Sequence, residues 1–217
     1  MTLKEIRDEI RSMPESGYLN ADNRFSSGFI DDLIHEKRAA AIVNLWNVNR
    51  HIPQQWLQTY YPEYSKDYQD GELCFVRYKI PRLVTISNLQ QGISFIGSDG
   101  VSLQFKLFDN RSSFMTARQH KIWNPASGRY VAVLMSGDEI EIYSKVNITE
   151  PPRIEGMFMN PCDVPTYNRN VDDYPVESTL LAEMKRLIMG MDMVVITKSA
   201  IDRVTQGRDD SAIPMKQ

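Results

Sequence analysis

The chain has 217 residues, 42% of them hydrophobic and 24% charged, the balance of an ordinary globular protein, which excludes wholesale disorder. A formal net charge of −3 leaves no general electrostatic pull towards nucleic acid or an anionic membrane surface. The two cysteines, Cys74 and Cys162, form no CxxC pair, so neither a zinc motif nor a redox motif is suggested.

Taken in chain order, Leu3, Ile6, Ile10 and Met13 lie at helical spacing in a short amphipathic segment. The segment MTLKEIRDEIRSMPESGY has no apolar signal core, and no other run approaches the roughly 20 apolar residues a membrane helix needs. The expectation is a protein used inside a cell or packed into something assembled there, with no membrane contact. The loop Tyr18 to Ser27 leads into the central stretch, Arg24 to Arg50, where Phe29, Ile30, Leu33, Ile34, Ala41, Leu45 and Val48 define one helical stripe. Ser26 or Ser27 can cap it, Asp31, Asp32 and Glu36 suit its positive end, and Glu36-Lys37-Arg38 reads as its polar face. Pro53 sits where a second helix of a hairpin could start. That second segment carries Trp56, Tyr60, Tyr61, Tyr64 and Tyr68, aromatics that seal a packed layer or anchor a protein–protein interface.

After Asp70-Gly71 the period changes to that of strands. ELCFVRYKIPRLV is rich in β-formers, with Pro81 marking an edge or a break. Ile93 to Ile96, Val101 to Leu107, Tyr130 to Met135, Glu139 to Tyr143 and Ile154 to Met159 continue the pattern, and the third and fourth of these form a hairpin across Ser136-Gly137-Asp138. Between them, DNRSSFMTARQHKIWNP reads as a projecting loop with isolated large residues, Phe114 and Trp123 among them. Pro175 then opens a helix with Leu180, Met184, Leu187, Ile188 and Met191 on one stripe. The fold class is therefore α+β: an N-terminal helical bundle with a returning C-terminal helix, and a central antiparallel β-sheet or small β-sandwich. The expected division is a helical region over 1–70 with 175–192 packed on it, a β-domain over 71–160, a loop over 161–174 and an extended arm over 193–217.

The chemistry-bearing residues form no motif. His35, His51 and His120 show no HExxH spacing, and Gly97-Ser98-Asp99-Gly100 lacks phosphate-loop spacing and precedes a strand. Adjacent carboxylates such as Asp31-Asp32, Asp172-Asp173 and Asp209-Asp210 point apart on a helix and make no acid–base pair. No catalytic residue, cofactor or metal ligand is expected. Arg77, Lys79 and Arg82, with Arg111, Arg118, His120 and Lys121 near Phe114 and Trp123, offer at most a weak, sequence-blind grip on a phosphate backbone.

Several stretches together resemble a known family: NRFSSGFIDDLIHEKRAAAIVNLWNVNRHIPQQWLQ, the ELCFVRYKIPRLV strand, EIEIYSKV, and IEGMFMNPCDVPTY through DDYPVESTLLAEMKRLIMGMDM. Over roughly residues 20–200 their order is similar to that of the head-to-tail ring proteins of crAss-like, short-tailed bacteriophages, themselves similar in plan to the tail tubular protein A adaptors. The resemblance implies a virion structural protein, assembled in the bacterial host, that forms a dodecameric ring between the portal protein and the next ring or tail protein. It implies a wall of the DNA channel and no catalytic residues.

A ring subunit needs two unlike contact surfaces. The candidates are Trp56, Tyr60, Tyr61 and Tyr64 in one segment, Phe114, Arg118 and Trp123 in another, and Arg203 and Arg208 in the arm. The alternatives are another virion scaffold or decoration protein, or an enzyme in which His120 or Cys162 acts.

Overall fold

The computed structural model describes residues 1–12, 26–63, 67–70, 73–87, 90–98, 104–120, 130–136, 138–145, 148 and 150–189. The chain is α+β. Helices α1 (Leu3–Ser12), α2 (Ser27–Asn49) and α4 (Ser178–Leu187) form one layer, and α3 (Arg111–Gln119) belongs to the β part.

The α2 helix starts where Ser26 stands in extended conformation and its hydroxyl accepts the Phe29 N–H at 3.2 Å. It stops at Arg50, which is left-handed (φ 54°) and returns its N–H to the Trp46 carbonyl at 2.8 Å, the way helices commonly end. Ile30, Ile34, Ala41 and Ile42 are buried in a core shared with Leu3, Ile6 and Ile10 of α1 and Leu180 and Met184 of α4. The stripe read from sequence is rotated: Leu33 and Leu45 are half-buried at the rim of that core, and Phe29 and Val48 are exposed.

Among the described residues the expected second helix of a hairpin is absent. Residues 54–63 instead give a short 3-10 turn (Gln54–Trp56) and strand β1 (Gln58–Tyr60), and β2 (Asp67–Asp70) follows. The four-residue spacing of Trp56, Tyr60, Tyr64 and Tyr68 imitates a helix, but Pro62 lies inside it and removes a donor any helix there would need. Aromatic residues at that density suit a strand equally well.

The remaining strands are β3 (Leu73–Lys79), β4 (Thr85–Ser87), β5 (Gln90–Gln91), β6 (Ile93–Gly97), β7 (Lys106–Phe108), β8 (Val131–Ser136), β9 (Glu139–Ser144) and β10 (Arg153–Gly156). They make a sheet in the order β2-β3-β9-β8-β7, a second in the order β1-β10-β6, and a small β4-β5 ribbon. The break expected at Pro81 separates β3 from β4. The two larger sheets meet where Phe105 donates its N–H to the Ile96 carbonyl at 2.8 Å, beside a bridge between Gly97 and Gln104. Their inner faces share one core, with Val76, Tyr78, Leu134, Ile140 and Ile142 from one sheet and Ile96 and Ile154 from the other, as in a small sandwich.

One pairing departs from the antiparallel expectation: β7 and β8 are parallel, Lys106 opposite Val131 through Phe108 opposite Val133. A parallel neighbour needs a crossover, usually a helix. The stretch read as a projecting loop supplies α3 between them, capped by Asn110, whose side-chain oxygen accepts the Ser113 N–H at 2.8 Å. Its Phe114 and Ala117 are buried against the outer face of the five-stranded sheet, with Leu73, Phe75, Val131, Val133 and Tyr143.

Candidate functional site

The buried core of α2 is not purely apolar. Asp31, His35 and Arg38 lie four and three residues apart, so they share a face, and all three are buried. Arg7 of α1 reaches the two Asp31 carboxylate oxygens at 3.0 and 3.2 Å. Burial raises the Asp31 carboxyl above its ordinary range, and Arg7 pulls against that shift.

Arg38 is fully enclosed and, among the described residues, its hydrogen-bond partners are backbone carbonyls. Its Nε donates to Pro175 O at 3.0 Å, Nη1 to Phe158 O at 2.8 Å and Nη2 to Trp56 O at 3.1 Å. Its guanidinium carbon also lies 5.7 Å from the centre of the Tyr174 ring. Burial works against the charge, and the three carbonyl dipoles and the ring face offset that cost. One side chain thereby joins α2 to the turn before β1, the segment after β10 and the entry to α4.

His35 completes the cluster. Its Nδ1 lies 2.8 Å from the Tyr174 hydroxyl, and its Nε2 faces the Cys162 sulfur at 4.0 Å. Burial, helped by the Arg38 charge, pulls His35 down to about 4. Burial likewise pushes the Cys162 thiol up, and the phenols of Tyr167 and Tyr174 are raised for the same reason. Near neutral pH the imidazole and the thiol are both uncharged. A nucleophilic cysteine needs a thiolate, favoured by an imidazolium, a helix N-terminus or another cation, and this environment works the other way. Beside the cluster opens a groove of about 350 Å³ lined by Gln55, Gln58, Tyr167, Asp173 and Val176, among others. Among the described residues, no His, Cys, Asp or Glu side chains gather in threes as a metal would require.

The five-stranded sheet carries a second constellation on its outer face. Tyr68, Phe75, Tyr143, Phe114 and Phe108 follow one another with ring centres 5.1, 5.0, 4.6 and 5.6 Å apart. Arg77 lies over the Tyr68 end and Lys106 over the Phe108 end, 5.7 and 5.1 Å from the ring centres. Beside the file Glu141 is fully buried, accepting from Arg77 Nη2 at 2.6 Å and from the Tyr143 hydroxyl at 2.7 Å.

The interface candidates are dispersed by this architecture. Trp56 is buried in the helical core and Phe114 in the outer core of the sheet, so neither is available as a contact residue. Tyr60 is half-buried, its ring edge-on to Phe158 and its hydroxyl donating to Lys79 O at 3.3 Å, whereas Tyr61 is exposed. Arg118 is half-buried on α3. Tyr64, Trp123, Arg203 and Arg208 lie outside the described residues, as does the arm 193–217. Of the basic residues weighed for phosphate contact, Lys79, Arg82, Arg111 and His120 are exposed, and Arg77 is engaged by Glu141 and Tyr68.

Reading α2 for apolar period alone misses Asp31, His35 and Arg38. The signal was present as their shared spacing, set between the isoleucines at 30, 34 and 42. Among the described residues no helix is long and apolar enough to cross a membrane. No protein-family model matches the chain, and no curated protein matches it.

Proposed function

We propose that this chain is a structural subunit of a virion head-to-tail connector, a ring member seated between the portal and the next ring or tail protein and lining the path of the DNA. The observation that supports a structural role is the Arg38 staple. Its three carbonyl bonds, beside the uncharged His35–Cys162 pair, tie α2 to the segments around Trp56, Phe158 and Pro175. A subunit that must transmit load between neighbours benefits from such joints, because one buried, hydrogen-bonded group fixes the relative placement of several segments. The proposed place in the virion rests on the resemblance of the order of sequence stretches to that of short-tailed phage ring proteins. On this reading the exposed Lys79, Arg82 and Arg111 touch channel DNA weakly and without regard to sequence.

The test is to mix the purified chain with the portal protein of the same phage and image the particles by electron microscopy. A ring added to one face of the portal is expected. Portal particles that remain bare, or label found over the capsid surface in whole virions, would contradict the assignment. An enzyme acting through Cys162 is the second reading, favoured only by the 4.0 Å approach to His35; retained virion assembly in Cys162→Ser with loss of a catalysed reaction would establish it instead.

A further inference from the structure

We propose that Cys162 and His35 form a two-coordinate site for a soft monovalent metal ion of the copper(I) type. The pair is assembled from distant parts of the chain, α2 and the short 3-10 turn Pro161–Asp163, and each member is held. Asn160 accepts the Cys162 N–H at 3.0 Å and its amide donates to Asp163 at 2.9 Å, which fixes the turn. His35 is more than nine-tenths buried, and its Nδ1 lies 2.8 Å from the Tyr174 hydroxyl.

Metal-binding imidazoles are oriented by a partner that accepts their second ring N–H, usually a carboxylate, a backbone carbonyl or water; here the Tyr174 hydroxyl stands in that position. The proposed site requires the tautomer with the ring proton on Nδ1, donated to the Tyr174 hydroxyl, so that the lone pair of Nε2 faces the Cys162 sulfur.

The distance suits one ion shared by both atoms. With zinc's bond lengths as a yardstick, about 2.3 Å to a thiolate and about 2.0 Å to an imidazole, one ion spans up to about 4.3 Å between the two atoms when collinear. The observed 4.0 Å separation is therefore met with a wide sulfur–metal–nitrogen angle. It is long for a thiol hydrogen bond and too long for a tetrahedral pair of ligands.

Ligand number then selects the ion. Among the described residues no third His, Cys, Asp or Glu completes a set, so zinc, which takes four ligands in structural sites, is poorly served. A thiolate and an imidazole suit copper(I). Asp31 and Asp163 near the thiol and Asp32 near the imidazole favour a cation; Arg38 near His35 and Arg169 near Cys162 oppose it. Cys162 is half-buried, which leaves a way in for the ion.

In the binding step copper(I) leaves the nitrogen ligands of its chelator, the thiol proton leaves to solvent, and one sulfur–copper and one nitrogen–copper bond form. The copper stays in its +1 state, so no oxidant or reductant is involved.

The experiment is an anaerobic titration of the full chain with copper(I) against a competing bicinchoninate chelator, followed by X-ray absorption at the copper edge. One copper per chain is expected, with one sulfur and one nitrogen in its first shell. Cys74→Ser should bind as the unaltered chain does, and Cys162→Ser and His35→Gln, each removing a ligand, should weaken retention by more than the roughly ten-fold that loss of an outer-shell partner costs. Equal retention by Cys162→Ser, or a first shell of sulfur alone, would overturn the proposal. The absorption measurement on the unaltered chain decides the matter even if His35→Gln fails to fold.

Discussion

The Nδ1 of His35 and the hydroxyl of Tyr174 are 2.8 Å apart although 139 positions separate them in the chain. The contact ties the middle of α2 to the segment entering α4, and both rings are buried, so neither partner can turn to water if the other is lost. Removing one member of such a pair leaves the full desolvation cost of the other. Tyr174→Phe is expected to lower unfolding stability by about 1–3 kcal/mol, read as a shift of the urea midpoint at unchanged slope. A midpoint equal to that of the unaltered chain would show that the bond contributes nothing.

His35 also predicts a pH dependence with a definite sign. Its folded-state value is depressed to about 4 from an ordinary value of 6.5, so between those limits the unfolded chain binds a proton that the folded chain refuses. Stability is then fully present above about pH 6.5 and falls as the pH drops towards 4. The slope of stability against pH over that interval should flatten in His35→Gln, measured by urea unfolding at half-unit steps. An identical slope in the two proteins would locate the acid sensitivity elsewhere.

Arg38 supplies the largest single effect expected in the helical layer. In Arg38→Met, the carbonyls of Trp56, Phe158 and Pro175 lose their donor together, at about 1–3 kcal/mol for each one left buried and unsatisfied. The change should cost more than about 3 kcal/mol, and Arg38→Lys should recover only part, because an ammonium cannot reproduce the planar fork. A melting curve for Arg38→Met that overlays the unaltered one would refute the staple.

The α+β class, the returning C-terminal helix and the β8–β9 hairpin were legible because period, turn residues and caps agreed with tertiary packing at those places. Three features were not. Trp56 to Tyr68 has a helical spacing that Pro62 makes unusable, and α3 hid in a polar stretch whose only strong marks are Asn110 at the cap and Phe114 with Ala117 on one face. The Asp31–His35–Arg38 stripe was submerged in an apolar pattern because polar residues in a core are explained only by partners such as Trp56, Phe158 and Tyr174, which sequence separation conceals.

Phe114 distinguishes the packed crossover from a projecting loop. It is fully buried, with Tyr143 at 4.6 Å and Phe108 at 5.6 Å between ring centres. Phe114→Ala should cost about 3–5 kcal/mol in urea unfolding and expose the sheet face to a hydrophobic dye. An effect below about 1 kcal/mol would fit a solvent-facing side chain instead.

The central claim is that this chain is a connector subunit, and the most direct test is its mass in solution, alone and with the portal protein, by native mass spectrometry. The account predicts a closed ring, of about twelve chains as the resemblance to phage ring proteins implies, formed either alone or upon addition of the portal. A monomer or dimer that stays unchanged in the presence of portal and tail proteins would contradict it.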